Sequence, residues 1–265
     1  MHRVPRGGPC DNRSMEEDRP ILTAADVLAW RRGLRGGRRP ADIARALLVA
    51  DRSIVDELRR RRRGLLLEGP SGPVAVLPRS AAGAVAVAAP PGIGAPAAAI
   101  AVEELAVLGA RDIVFIGYAG GLERALASGD QVLIDDALRG DGVSTHYGAT
   151  GPTCAADPTA AGRLTGTLAG TGIDHRRGRS WTTDALYRET PRAVARARAG
   201  GAIVVELEIA AVYAVAASLG VAAAGAVVVG DRLGDGRWEP PPDLGAVRRR
   251  VRATVDAVLD AWLGR

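Results

Sequence analysis

Aromatic side chains are scarce in this chain of 265 residues, at only 3% of the total. Alanine and valine dominate the 47% of residues that are hydrophobic. Small apolar side chains suit parallel strands that are covered by helices on both faces, so the composition favours an α/β fold. Cysteine and histidine are also rare, with two and three copies. Neither shows the spacing of a ligand set, and we expect no disulfide framework and no metal site.

Long apolar runs are lacking as well. Glycine, proline or a charged residue interrupts each run before it reaches membrane-spanning length, and the N-terminus has no apolar signal core. We therefore expect a cytoplasmic protein without a membrane partner. Residues 1–20 are rich in Arg, Gly, Asp and Glu, which predicts a disordered tail. No shift in composition divides residues 21–265, so we expect them to form one domain.

The formal net charge is +5, and the five arginines at 59–63 form the longest basic run. Such a run can indicate nucleic-acid binding. No aromatic residues are interleaved with it, and no zinc or helix-turn-helix spacing accompanies it. We interpret the run as a solvated helix end that can also attract an anionic substrate, and we expect no nucleic-acid partner.

Predicted strands and helices alternate along the chain. Short apolar runs between glycine and proline breakers predict strands, and Pro158 and Pro191 follow good N-cap residues. Ser53 is the predicted cap of a helix over 54–62, the Gly120-Gly121 pair is predicted to be a turn, and a last helix is predicted over 243–263. The alternation favours one α/β/α sandwich with a mostly parallel central sheet.

Glu206 and Glu208 are the most informative acidic residues. They follow an apolar run and precede an alanine-rich helix pattern. Side chains two apart in a strand point to the same face, so both carboxylates are predicted to enter one pocket at a strand-to-helix junction. Burying them requires a partner rich in donors, such as the hydroxyl groups of a ribose. The competing interpretation is a pair of solvated surface acids.

Two glycine-rich segments lie at predicted strand ends. The first contains Gly92 and Gly94 and precedes a helix, where backbone amides can bind an anion; it can equally be a simple chain reversal. The second contains Tyr118, Ala119 and Gly120. Ligands of open α/β sheets bind at such strand ends, and the glycine would allow a sugar to approach closely.

Two further residues have a possible chemical role. Trp181 offers a flat face on which a nucleobase can stack, although a core tryptophan is nearly as good an interpretation. Asp231 ends an apolar strand, where it can protonate or hydrogen-bond a leaving group. Its alternative is a surface ion pair with Arg232 or Arg237.

Taken together, these segments resemble the nucleoside phosphorylase superfamily of purine nucleoside and uridine phosphorylases. The likeness covers roughly residues 47–233 and is specific as a set, because no single block would suffice. The blocks that carry it are Gly92–Pro96 with the helix pattern 98–105, Ser128–Asp130 with Asp141–Tyr147, Thr182–Tyr187 and Val205–Ala211.

The resemblance implies a central mixed sheet that is partly curled into a barrel, flanked by helices in a three-layer sandwich. It also implies a small nucleoside as substrate and no cofactor, with phosphate as co-substrate if the protein is a phosphorylase. Homo-oligomers are the expected assembly, as dimers, trimers or hexamers.

The same resemblance implies roles for single residues. Glu208 would hold the ribose hydroxyls, Leu207 would line the sugar, and Trp181 or Leu186 would pack on the base. Asp231 falls where the purine enzymes place the aspartate that protonates the base. Arg192 falls near the position of an arginine that contacts the pyrimidine in the uridine enzymes.

The chain departs from the family's pattern in its phosphate contacts. Ile54 and Phe115 stand at two positions where the family has arginine, and Tyr118 replaces a threonine. A dianion is best bound by arginine forks, and Arg52, with Gly92 and Gly94, is the contact we expect here. Arg63 or an arginine of a neighbouring subunit could take the same role.

Three functions therefore compete. A nucleoside phosphorylase is narrowly favoured, because the glutamate block and the glycine loop are retained. A nucleosidase that uses water is favoured by Ile54 and Phe115, which make the anion site less polar. A non-catalytic nucleoside-binding protein is the third possibility. The identity of the nucleobase stays open, since Asp231 indicates a purine and Arg192 indicates a pyrimidine.

Overall fold

The computed structural model describes residues 20–35, 43–69, 71–80, 83–233 and 236–264. The predicted disordered tail lies outside the described residues, apart from its last position. The strands are β1 (Ile43–Val49), β2 (Leu65–Glu68), β3 (Pro73–Ser80), β4 (Gly83–Ala88), β5 (Asp112–Gly121), β6 (Gln131–Gly140), β7 (Thr153–Ala155), β8 (Arg176–Thr183), β9 (Ala202–Glu206) and β10 (Ala222–Arg232). The helices are α1 (Ala24–Arg35), α2 (Arg52–Arg61), α3 (Ala95–Val107), α4 (Pro158–Gly170), α5 (Pro191–Ala199), α6 (Ile209–Ser218) and α7 (Leu244–Leu263), with short 3-10 turns at Ser144–Tyr147 and Leu186–Arg188.

The strands form one sheet, part of which closes on itself. Five strands make a ring in the order β5-β9-β8-β6-β10, which the pairing of β10 with β5 closes. Strands β1, β4, β3 and β2 extend the sheet from β5, and β7 pairs with β6. This architecture confirms the predicted mixed and partly barrel-like α/β fold.

Half of the strand pairings are antiparallel, so the prediction of a mostly parallel sheet is wrong. Five pairings are parallel and five are antiparallel. Two of the antiparallel pairings, β10 with β6 and β5 with β9, belong to the ring. Two more form the β2-β3-β4 meander, whose short connections allow only antiparallel neighbours.

Helices cover both faces of the sheet. Buried residues of α3 and α6 share one apolar cluster with the sheet, and Leu28 of α1 joins it. Helices α2, α4 and α7 bury their apolar faces in a second cluster on the other side. In α7 the predicted helical spacing is confirmed, since Val247, Val251, Val255 and Val258 are all buried. Because the packed side chains are small, helices and strands approach closely without large aromatics.

Two local predictions are corrected by the structure. Asp51, and not Ser53, is the N-cap of α2, because its carboxylate accepts the amides of Ser53 and Ile54. Gly120 lies inside β5 and not in a turn. A Cβ at this glycine would come within 2.7 Å of Leu233 Cδ1, so the residue serves a close approach between chain segments.

Four parallel strands bring their carboxyl ends to one edge of the sheet. Strand β1 runs parallel to β4 and β5, and β5 runs parallel to β10. Residues that follow these strands therefore lie near each other, as ligand-binding residues do in open α/β sheets. Gly92 follows β4, Tyr118 and Gly120 end β5, and Asp231 is near the end of β10.

Candidate active site

A cavity of about 370 Å³ opens at this edge of the sheet. Nine of the predicted site residues line it, and each arrives from the end of a strand or the segment just after it. They are Gly92, Tyr118, Ala119, Gly120, Leu186, Glu206, Leu207, Glu208 and Asp231. Ala50, Ile93, Glu189, Val205, Trp238 and Leu244 also contribute to the wall.

Glu208 lies between the cavity and the start of α3. Its Oε1 accepts the backbone amide of Gly94 at 2.8 Å, and its Oε2 accepts the amide of Leu207 at 3.3 Å. The residue is 9% exposed. Burial and the nearby charge of Glu206 raise the pKa of Glu208 to about 7. The carboxylate therefore exchanges protons near neutral pH, as a general base must.

Glu206 has a different environment, although it also lines the cavity. Its carboxylate accepts the Ser180 hydroxyl at 3.0 Å and the Thr182 hydroxyl. It also accepts the amides of Glu208 and Ile209 at 2.7 and 2.6 Å. Both glutamates line one cavity at a strand-to-helix junction, as predicted. The reason given for it is wrong, because β9 ends at Glu206 and the two residues do not share a strand face. Glu206 fixes the strand-to-helix junction, and Glu208 is the acid that remains for a ligand.

Glu189 and Asp231 form a second acidic pair in the cavity wall. Asp231 Oδ2 accepts the indole N–H of Trp238 at 2.6 Å. A backbone bridge between Arg232 and Glu239, reinforced by their ion pair at 3.2 Å, holds this hairpin together. Burial and the charge of Asp231 raise the pKa of Glu189 to about 7. Glu189 and Asp231 thus form a pair in which one carboxyl is readily protonated at neutral pH.

Tyr118 links the cavity to the N-terminus of α2. Its hydroxyl donates to Asp51 Oδ2 at 2.9 Å. Arg248 of α7 donates to the same oxygen at 3.1 Å. Burial alone would raise the pKa of Asp51, but hydrogen bonds from Ser53 and Tyr118 and the charge of Arg248 hold it below its ordinary value.

The cavity is acidic. Glu189, Glu206, Glu208 and Asp231 line it, and among the described residues no arginine, lysine or histidine does. Ile54 and Phe115, at the positions where the resemblance expects arginine, are 1% and 0% exposed and belong to the apolar core. The guanidinium of Arg248 is paired with Asp51.

Four predicted site residues do not line the cavity. Gly94 is connected to it through Glu208, which accepts its amide, and the other three are Arg52, Arg192 and Trp181. Arg52 is an exposed residue of the first turn of α2, and Arg192 is exposed at the start of α5. Trp181 packs against a small apolar cluster that contains Leu122 and Val194. Its neighbours Ser180 and Thr182 face Glu206, so strand alternation directs the indole to the other face of β8.

Two wall residues with side chains suited to catalysis or stacking, Glu189 and Trp238, are absent from the sequence predictions. Glu189 follows a 3-10 turn and carries no pattern beyond the adjacent Thr190-Pro191 cap. Trp238 lies in a proline-rich loop and is 65% exposed. It lines the cavity beside Asp231, whereas Trp181, the tryptophan predicted to stack on a base, does not line it. The only available signal was its rarity, as one of four tryptophans.

The partly closed sheet and the acidic cavity at its edge define a protein of the nucleoside phosphorylase and nucleosidase fold. The chain belongs to the phosphorylase superfamily, whose family model matches residues 45–263. It is 30% identical over 175 residues to a guanosine phosphorylase of Halorubrum lacusprofundi, covering 63% of this chain and 73% of that protein. A uridine phosphorylase of Thermococcus kodakarensis is 31% identical over 96 residues, which is 36% of this chain and 35% of that protein. The family and the first relative place the chain among enzymes that act on nucleosides.

Solved structures share the fold at lower identity. A purine nucleoside phosphorylase from Toxoplasma gondii superposes with a TM-score of 0.73 at 22% identity, over 84% of this chain and 92% of that one. A 5'-methylthioadenosine/S-adenosyl homocysteine nucleosidase from Campylobacter jejuni gives 0.72 at 18% identity, over 84% of this chain and 100% of that one. The fold is therefore shared by proteins named for phosphorolysis and for hydrolysis.

No helix in the described part of the chain is long and apolar enough to cross a membrane. Within the same residues, no group of three or more histidine, cysteine, aspartate or glutamate side chains is arranged to hold a metal ion.

Proposed function

We propose that this protein is a nucleosidase, which hydrolyses the N-glycosidic bond of a purine nucleoside to free base and free sugar. The observation that carries the proposal is the charge of the cavity: four carboxylates and no basic side chain among the described residues that line it. Sequence reasoning narrowly favoured phosphorolysis. The geometry favours water as the nucleophile.

Electrostatics disfavours a phosphate dianion in this cavity. Two like charges about 4 Å apart repel by about 4 kcal/mol at the effective dielectric constant of a protein surface. Glu189 and Glu208, each with a pKa of about 7, would both have to stay protonated beside a phosphate dianion. The Gly94 amide, which begins α3 and would be a natural phosphate donor, already donates to Glu208. Water carries no charge and can donate to carboxylates, so it suits the same wall.

The acidic walls also match the charges that develop during cleavage. When the bond between C1' and the base nitrogen breaks, positive charge grows on the sugar and negative charge on the base. Carboxylates stabilise the cationic sugar. The Glu189 and Asp231 pair, in which burial and the charge of Asp231 raise the pKa of Glu189 to about 7, supplies a proton to the departing base through Glu189. Glu208 accepts the proton that water loses as its oxygen bonds to C1'.

The base end of the cavity favours a purine. Glu189, with a pKa of about 7, can protonate N7 of a departing purine, a ring nitrogen that a uracil lacks. Trp238 provides an aromatic face of the kind on which a base stacks, worth about 1–3 kcal/mol. Arg192, the residue that indicated a pyrimidine, is exposed and does not line the cavity. The relative named guanosine phosphorylase supports a 6-oxopurine as the first substrate to test.

Phosphorolysis is the second candidate, because the relatives in sequence are named phosphorylases. It requires a cation that the described wall does not supply. An arginine of a neighbouring subunit in a homo-oligomer would be the source, as the family resemblance implies.

An assay with and without phosphate tests the proposal. Guanosine, inosine, adenosine and uridine are incubated with phosphate-free enzyme, and base release is measured in buffer alone and after addition of phosphate. The proposal predicts release of a purine base at a rate that phosphate does not increase. Release that depends on phosphate would establish phosphorolysis instead. Binding of nucleosides without turnover of any would support the non-catalytic interpretation and contradict the proposal.

A further inference from the structure

The contact between Tyr118 and Asp51 joins residues that are 67 positions apart in the chain. Tyr118 is near the end of β5, and its half-buried ring lines the cavity. Asp51 directly precedes α2 and does not line the cavity itself. Asp51 therefore determines, from outside the cavity, whether the Tyr118 hydroxyl can donate or accept a hydrogen bond inside it.

The proton of the Tyr118 hydroxyl is committed to Asp51. Burial and the hydrogen bond to Asp51 both raise the pKa of Tyr118, so the phenol stays protonated throughout the neutral range. A hydroxyl has one proton and two lone pairs. With its proton directed at Asp51, the Tyr118 oxygen can offer a cavity ligand only an acceptor.

Several donors hold the Asp51 carboxylate, so the direction of the hydrogen bond from Tyr118 to Asp51 is fixed. Oδ1 accepts the amides of Ser53 and Ile54 at 2.9 and 3.3 Å, and also the Ser53 hydroxyl. Oδ2 accepts Arg248 at 3.1 Å in addition to Tyr118. Because these donors keep Asp51 ionised, it cannot return a proton to Tyr118.

We infer that Tyr118 is a catalytic residue that orients the attacking water, and this inference rests on the proposed hydrolytic function. Water has two O–H groups, and the Tyr118 oxygen and the Glu208 carboxylate are two acceptors that line the same cavity. Donation to both leaves a lone pair of the water free to attack C1'. The O–C1' bond forms as the C1'–N bond breaks. The proton given to Glu208 and the proton supplied to the base by the Glu189 and Asp231 pair balance the reaction. Asp51 is a positioning residue, since it acts only through Tyr118.

The test substitutes Tyr118→Phe and measures which nucleophile is used. Hydrolysis of the best purine nucleoside is run in water and in water–methanol mixtures, and free sugar and methyl glycoside are quantified. Methanol has a single O–H, which it must give to Glu208, so it gains nothing from Tyr118. The wild type should therefore select water over methanol. In Tyr118→Phe we expect kcat to fall about 3- to 10-fold, the effect of one neutral hydrogen bond, and the share of methyl glycoside to rise by a similar factor.

Two further variants separate this role from a structural one. Tyr187→Phe is the matched control, because Tyr187 is 95% exposed and does not line the cavity; it should behave as wild type. Asp51→Asn keeps a good helix N-cap but removes the charge that fixes the Tyr118 proton. It should lower kcat and raise the methyl glycoside share as Tyr118→Phe does, with KM little changed.

The outcomes distinguish the inference from the proposed function. If the wild type works without phosphate and Tyr118→Phe selects between water and methanol as the wild type does, the inference about Tyr118 is overturned and the proposed function is not. A rise in KM with unchanged selection would assign Tyr118 to a sugar hydroxyl and also overturn it. A wild type that needs phosphate overturns both. Thermal melting of each variant verifies folding. Folding should persist in Tyr118→Phe because Asp51 retains its other donors, and in Asp51→Asn because the asparagine oxygen can still accept the amides at the start of α2.

Discussion

The carboxylate of Glu208 caps helix α3 by accepting the amide of Gly94 at 2.8 Å, across 114 positions of the chain. Gly94 is the N-cap residue and has no side chain that could accept an amide of the first helical turn. Its φ of 90° lies in the region that favours glycine. The positive end of a helix favours an anion, and here the protein provides that anion itself. Glu208 therefore stabilises the helix start and also occupies the position where a substrate anion would be expected to bind.

Glu208→Gln should change the pH dependence of stability. A carboxyl whose pKa is raised on folding binds its proton more tightly in the native state. The contribution of Glu208 to native stability is therefore largest below the ordinary pKa of 4.5 and is lost as the pH rises to about 7. The shift corresponds to at most about 3 kcal/mol for this nearly buried group. Between pH 5 and pH 8, urea unfolding of Glu208→Gln should show a flatter loss of stability than the wild type.

The control for this measurement is Glu57→Gln, which removes a surface carboxylate that pairs with Arg252. Its stability curve should run parallel to that of the wild type. Parallel curves for Glu208→Gln and the wild type would show that Glu208 does not titrate in this range.

Asp231→Asn should lose more activity on substrates whose leaving group must be protonated than on substrates whose leaving group departs as an anion. Removing the charge of Asp231 lowers the pKa of Glu189 and so leaves less of the protonated acid. General acid catalysis contributes about 10²- to 10⁴-fold, so kcat for guanosine or inosine should fall by that order. The leaving group of a p-nitrophenyl riboside, p-nitrophenolate, departs without protonation, so hydrolysis of this substrate should be nearly unchanged. Equal losses on both substrates would contradict the role of Asp231 in the acid pair and indicate that Asp231 is needed only for binding or folding.

Trp238→Phe should weaken catalysis and remove a spectroscopic signal. The substitution keeps an aromatic face but deletes the N–H that donates to Asp231. We expect kcat/KM to fall about 10-fold, as for loss of a hydrogen bond to a charged group. Tryptophan fluorescence should respond to purine binding in the wild type and in Trp181→Phe, but not in Trp238→Phe. A response lost only in Trp181→Phe would place the base on the other face of β8.

Gly120→Ala should damage the site because the strand has no room for a methyl group. The new Cβ would lie 2.7 Å from Leu233 Cδ1, 3.1 Å from Val205 Cγ1 and 3.3 Å from Asp231 Oδ1. Overpacking of this kind costs about 1–3 kcal/mol, and it displaces the acid, so both melting temperature and kcat should fall. Gly162→Ala in α4 is the control, since nothing lies within 4 Å of its Cβ position. It should leave activity unchanged and keep or raise stability.

Residues next to strand ends were predictable from the sequence, because local pattern determines them. Gly92, Tyr118, Glu208 and Asp231 each directly follow or end an apolar run, and the sheet brings such ends to one edge. The mixed sheet and its partial closure came from the family resemblance. Alternation alone wrongly favoured a mostly parallel sheet, because hydropathy patterns do not encode strand direction.

Residues whose role depends on distant contacts were not predictable. Arg248 meets Asp51 across 197 positions, and Trp238 reaches Asp231 through a hairpin that no local pattern marks. Trp181 was the more conspicuous tryptophan, yet the alternation of β8 points it away from Glu206. Glu206 and Glu208 were both correctly expected near the cavity. The sequence did not show that Glu206 is used to fix the strand-to-helix junction while Glu208 stays available for a ligand, because this depends on β9 ending at Glu206.

The identity of the sugar product is the most direct test of the central claim that water is the nucleophile. A purine nucleoside that the enzyme cleaves is incubated to completion in phosphate buffer, and the products are separated and identified by mass. The account predicts free sugar as the only sugar product, even with phosphate in large excess. Formation of sugar 1-phosphate would contradict it, and would show that a cation from outside the described wall completes the site.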